Sequence, residues 1–100
     1  MPKYLESKVV FVIGSGTPEH RGVCIGLAEQ GADVAVAGPA NPPTEVLLNS
    51  ISNEVWALGR RTLVVGFDAS STAEFAQAIE RASRELGRVD MVVRCEPVAG

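Results

Sequence analysis

Two stretches of this chain set hydrogen-bonding groups directly after runs of β-branched residues. Gly14-Ser15-Gly16-Thr17 follows Val9-Val10-Phe11-Val12-Ile13 and leads into Pro18. A glycine-containing turn that opens a helix aims backbone amides, with the Ser15 and Thr17 hydroxyls, at one point, and such a point suits a pyrophosphate. Asp68-Ala69 follows a second run, where an aspartate ahead of Ser70-Ser71 also suits a strand-to-helix turn. Cys95 adjoins Arg94, which favours a thiolate only if the two side chains converge, and neighbouring strand residues point oppositely. His20 is the only histidine and has no serine and aspartate at an interpretable triad spacing. Cys24 and Cys95 form no C-x-x-C pair, so no metal site is expected, and Cys24 reads as a small packing residue between helix and sheet.

The elements that position these residues alternate regularly. The run Val9–Ile13 reads as a strand buried on both faces and ended by Gly14, and Thr17 then caps a helix with Pro18 in its first position. That helix should stop at Gly31. Asp33-Val34-Ala35-Val36-Ala37 is a second strand, closed by Gly38-Pro39, and Asn41-Pro42-Pro43 stiffens the start of a second helix with an apolar face of Leu47, Ile51, Val55 and Leu58. Gly59 ends it before the strand Thr62–Gly66. Ser71-Thr72-Ala73-Glu74 has the form of a capping box, with Phe75, Ile79, Ala82 and Leu86 as the buried stripe and Gly87 as the stop. Val89 to Val93, with Asp90 near its start, makes a fourth strand.

A β-α-β-α-β-α-β order implies a parallel sheet with right-handed crossovers, here a Rossmann-like three-layer α/β/α domain spanning residues 1–100 with strand order 3-2-1-4. Ligands of such sheets bind at the carboxyl ends of the strands where the order reverses, a crevice that Gly14 to Thr17 and Arg94 to Glu96 should line. The balance of 9 basic and 12 acidic residues gives no reason to bind nucleic acid or an anionic membrane. No apolar run has the length of a membrane span and Met1-Pro2-Lys3-Tyr4 does not lead into a signal peptide, so the cytoplasm is the expected compartment.

Several segments together resemble the short-chain dehydrogenase/reductase family of NAD(P)-dependent oxidoreductases, and the resemblance covers nearly all of the chain. Leu5-Glu6-Ser7-Lys8 leading into Val9–Gly14 is similar to the family's first strand. Leu27-Ala28-Glu29-Gln30-Gly31-Ala32-Asp33-Val34 is similar to its first helix running into the second strand. Val55-Trp56-Ala57-Leu58-Gly59-Arg60-Arg61, Gly66-Phe67-Asp68-Ala69 and Gly87-Arg88-Val89-Asp90-Met91-Val92-Val93 are similar to later segments. The resemblance implies that Gly14, Ser15, Gly16 and Thr17 hold the pyrophosphate of NADP or NAD, that Asp68 and Ala69 meet the adenine, and that the backbone around Cys95 meets a ribose.

Three departures matter. Pro18 and His20 stand at the second and third glycine places of the family pattern G-x-x-x-G-x-G, adding bulk, and Glu19 adds a negative charge to the same turn. Gly38-Pro39 offers neither the acid that accepts NAD ribose hydroxyls nor the base that attracts the 2′-phosphate, which leaves only a weak preference for NADP; Arg21, Arg60 and Arg61 could supply the attracting charge but read as solvent contacts. Arg94-Cys95-Glu96-Pro97 replaces the family's N-N-A-G. Tyr4-Leu5-Glu6-Ser7-Lys8 matches the family's catalytic Y-x-x-x-K in letters only, because it precedes the first strand instead of lying on a helix. The catalytic serine, tyrosine and lysine would lie beyond Gly100, so no catalytic residue is expected within the chain.

The expected function is the nucleotide-binding part of such an oxidoreductase, and a non-catalytic Rossmann-like interaction module or pseudoenzyme subunit stands as the alternative. One face of the sheet would carry a single helix and the fourth strand would be an edge, so self-association or capture of a complementary segment is expected.

Overall fold

In a computed structural model, which describes residues 4–95, the elements run β1 (Val9–Ile13), α1 (Pro18–Glu29), β2 (Asp33–Gly38), α2 (Pro42–Ala57), β3 (Thr62–Gly66), α3 (Thr72–Leu86) and β4 (Met91–Arg94). The four strands form one parallel sheet in the order β3-β2-β1-β4. Ile13 lies opposite both Ala37 and Arg94, and Gly38 lies opposite Gly66, so the carboxyl ends of all four strands share one edge. The loops that follow them are thereby gathered on one side of the molecule.

The two central strands are buried along their whole length, which is why Val9–Ile13 and Val34–Ala37 are continuous apolar runs instead of alternating ones. On one face Val10, Val12, Val34 and Val36 pack against Cys24 and Ala28 of α1 and Leu48, Ile51 and Val55 of α2. On the other Val9, Phe11, Ile13, Ala35, Ala37 and Val65 meet Ala78, Ala82 and Leu86 of α3. Phe11, Phe67 and Phe75 form a ring cluster on that second face, with centroids 6.0 to 6.3 Å apart. Thr17, Asn41 and Ser71 cap α1, α2 and α3, each accepting a hydrogen bond from the third residue beyond it, and Gly87 closes α3 in the left-handed conformation at φ 94°.

Several expectations need correction. The buried face of α2 is Leu48, Ile51, Ser52 and Val55, whereas Leu47 and Leu58 are 47% and 41% exposed. Strand β2 continues through Gly38. Strand β4 begins at Met91, because Asp90 acts as a clamp whose Oδ2 accepts hydrogen bonds from Val9 N at 2.8 Å and Arg88 Nε at 2.9 Å. Only half of the capping box forms: Ser71 Oγ accepts from Glu74 N, but the Glu74 carboxylate accepts from Asp68 N at 3.0 Å, and Ser71 N donates to Asp68 O. On the inward stripe of α3, Ala78 takes a buried place while Phe75 and Ile79 are half-buried against the same core.

Candidate functional site

Along the carboxyl edge the loops follow the strand order: Asp68-Ala69 after β3, Pro39-Ala40 after β2, Gly14 to Thr17 after β1 and Cys95 after β4. Ser15, Gly16 and Thr17 line a cleft of about 600 Å³ with Pro18, Arg21, Leu47, Ser50 and Ile51. Asp68, Ala69 and Ser70 line another, of about 400 Å³, with Pro39, Ala40, Phe67 and Glu74. The first cleft opens towards α2, not towards β4 as the strand order alone suggests. Glu96 and Pro97 lie outside the described residues.

Gly14 is buried and continues the sheet, its N–H donating to Ala37 O at 2.9 Å. Thr17 Oγ1 accepts from His20 N at 3.3 Å. Gly16 has φ 79°, a conformation that favours glycine, and Leu47 of α2 lies where a Cβ on it would point. Its N–H donates to Nδ1 of His20 at 3.1 Å, and Nε2 of the same ring lies 3.1 Å from Val12 O. A backbone N–H can only donate, so Nδ1 carries no proton, and the neutral ring therefore bears its hydrogen on Nε2 and donates it to the carbonyl. His20 is fully buried. The third residue of α1 thus folds back beneath the loop that precedes the helix, a role that a search for catalytic partners of histidine does not find. The signal available for it was an imidazole four residues after a glycine at the start of a capped helix.

Asp68 is exposed, and its Oδ1 accepts from Ser70 N at 2.9 Å and Ser70 Oγ at 2.7 Å. The Ser70 hydroxyl first, and its amide second, hold the Asp68 carboxyl below the usual carboxylate range. Charges beside this cleft are negative: Glu74 lines it, and a Glu45 carboxylate oxygen lies 3.6 Å from where a Cβ on Gly66 would stand. The arginines singled out in the sequence do not reach it. Arg60 bonds Gly31 O, Arg61 bonds Asp33 and Leu86 O at the opposite end of the sheet, and Arg21 forms a two-pronged pair with Glu54.

Cys95 is half-buried against the face that carries α1 and α2, and its N–H donates to Ile13 O at 2.9 Å, extending the sheet. Arg94 turns to the other face, its guanidinium 5.9 Å from the Phe75 ring centre. The two side chains therefore diverge. Burial, with a smaller contribution from Cys95, pushes the Cys24 thiol up to about 12, so that cysteine is an inert packing group. Among the described residues no cluster of metal-ligating side chains occurs, and no helix is long and apolar enough to cross a membrane.

A family model described as short chain dehydrogenase matches residues 8–98. The chain is 33% identical over 89 residues to 2-dehydro-3-deoxy-D-gluconate 5-dehydrogenase of Dickeya dadantii (strain 3937), covering 89% of this chain and 33% of that protein. It is 34% identical over 96 residues to L-rhamnose 1-dehydrogenase (NAD(P)(+)) of Sphingomonas sp. (strain SKA58), covering 91% of this chain and 35% of that one. Among solved structures, a short-chain dehydrogenase/reductase from Serratia marcescens superimposes with a TM-score of 0.80 at 26% identity, over 94% of this chain and 37% of that one. The chain thus spans about a third of the length of these relatives. With its parallel 3-2-1-4 sheet and a family match running from the foot of β1 past the end of β4, the chain belongs to the short-chain dehydrogenase family.

Proposed function

We propose that this chain is the dinucleotide-binding part of a short-chain oxidoreductase that moves a hydride between a nicotinamide cofactor and a carbonyl or alcohol substrate. The observation that carries this reading is the placement of the Gly14–Thr17 turn and the Asp68-Ala69 turn on one edge of the sheet, each bordering a cleft. The residues fit the group. The cleft between Pro39-Ala40 and Asp68-Ala69 offers a shelf for an adenosine. Glu19 N–H, second in α1, has no acceptor within the helix and needs one from outside, as a phosphate oxygen would supply. A bound nicotinamide would supply or accept the hydride; the chain's own residues bind and orient, and no catalytic residue is assigned to them.

Between NAD and NADP, Gly38 removes an acid that would repel a 2′-phosphate, while Asp68 and Glu74 line the adenosine cleft with no cation among the residues that form it. The second effect places two charges beside a dianion, and it favours NAD. A relative named for NAD(P)(+) is consistent with either cofactor.

A second reading, a non-catalytic interaction module, is favoured by one observation: the Gly16 amide is already satisfied by His20. Calorimetric titration with NADH and NADPH separates the two. NADH is expected to bind, more tightly than NADPH, and Ala69→Trp, a change at an exposed position in the cleft, is expected to abolish the heat while leaving the melting curve intact. No heat with either cofactor at millimolar concentration would overturn the dinucleotide reading in favour of the module.

A further inference from the structure

Both ring nitrogens of His20 are joined to backbone groups, Nδ1 to Gly16 N–H within the Gly14–Thr17 turn and Nε2 to Val12 O in the strand before it. We propose that His20 is an internal latch on this turn, which an anionic ligand must displace and which acid releases. The lone pair of Nδ1 stands where a ligand oxygen would accept from Gly16, so the ring and a diphosphate compete for one amide. The ring also fills the room left by the absent side chain of Gly14: a Cβ there would lie 2.5 Å from His20 Cγ and 2.6 Å from Nδ1. The imidazole is therefore held on three sides, and the movable partner is the Gly16 peptide, which Leu47 covers from α2.

Adding a proton to Nδ1 removes the acceptor and sets two N–H groups against each other. The turn must then open at Gly16, and an anion entering there would meet an imidazolium. Proton and anion thus act in the same direction. Among the described residues, charged and titratable groups on the elements around the ring include the following. On α1, Glu19 and Arg21 are exposed, with Arg21 paired to Glu54 of α2, and Cys24 one turn along is a buried thiol. On β4, Cys95 packs on the same face as α1, while Arg94 crosses to the opposite face over Phe75.

The inference takes only its ligand from the dinucleotide reading, and two measurements keep them apart. In ¹⁵N-labelled chain taken from about pH 7.5 downwards until the ring protonates, the His20 ring should show hydrogen on Nε2 at the neutral end. The Gly16 amide resonance should then shift with the same apparent pKa as the ring. Displacing one neutral hydrogen bond corresponds to roughly a 2- to 10-fold change in affinity. Oxidised NAD should accordingly bind tighter by that factor at the acid end, and His20→Gly should bind it tighter by the same factor at neutral pH without the pH dependence. A ring with hydrogen on Nδ1 at neutral pH, or a His20 titration that leaves Gly16 unmoved, would overturn the latch. Should His20→Gly fail to fold, the wild-type titration alone decides. If NAD binds to neither protein, the dinucleotide reading fails, while the coupled titration of His20 and Gly16 still tests the latch.

Discussion

Gly38 ends β2 without an acid for a steric reason. A Cβ at this position would collide with the carbonyl oxygen of Gly14 across the sheet and come within 3.2 Å of Leu48. The β1 and β2 backbones converge at the edge where the loops begin, and only glycine permits it. Gly38→Asp, the substitution that would supply a ribose acceptor, is therefore expected to lower stability by about 1–3 kcal/mol and not to improve NADH binding, as denaturant melts and calorimetry on the variant would register. A stable variant with tighter NADH binding would contradict the packing described here. At this scale the sequence was informative about Gly14, Ser15, Gly16 and Thr17, because a turn after a buried run and a Thr-Pro helix start are local signals. The internal bond from Gly16 to His20 was hidden, since it depends on a ring folding back under its own helix start.

Among the elements, the start of α3 shows how charge and turn geometry combine. Asp68 accepts from Ser70, and Glu74 reaches back to Asp68 N instead of Ser71 N, so one carboxylate braces each side of the turn. Because the Asp68 carboxyl is held below its ordinary value by Ser70, its contribution is fully present above the unfolded-state pKa of about 4. That contribution is lost as pH falls through the lower folded-state pKa. Ser70→Ala removes the hydroxyl that is the largest cause, and the Asp68 carboxyl is expected to titrate closer to the ordinary range in a ¹³C-detected carboxylate titration. An unchanged titration would show that the amide of residue 70 suffices. Helix faces were less legible than helix existence. In α2 the adjacent Leu47 and Leu48 both continue an apolar spacing, and nothing local tells which one faces the sheet. Val46, Leu47, Trp56 and Leu58 are apolar yet outward. In α3 the spacing was less ambiguous, because its opposite face is charged and carries the Arg81–Glu85 and Arg84–Glu80 pairs.

For the molecule as a whole, the alternation of strands and helices carried the architecture, since right-handed crossovers leave few ways to arrange four parallel strands. That arrangement places α1 and α2 on one face and α3 alone on the other. It also leaves β4 with β1 as its only strand neighbour among the described residues, with Met91 and Val92 45% and 43% exposed. Unpaired strand edges and apolar faces associate. In sedimentation experiments the weight-average mass is expected to rise with concentration, and Val92→Lys is expected to reduce that rise. A wild-type mass independent of concentration would mean that the β4 edge is not sticky.

Whether the carboxyl edge of this sheet holds a dinucleotide can be read from the backbone amide shifts of ¹⁵N-labelled chain during addition of NADH. Saturable shifts are expected at Gly14 to Thr17 and Glu19, at Ala40, and at Asp68 to Ser70, with Arg60, Arg61 and Gly87 at the far end of the strands unmoved. Shifts spread evenly over the surface, or none at millimolar NADH, would contradict a dinucleotide site at this edge.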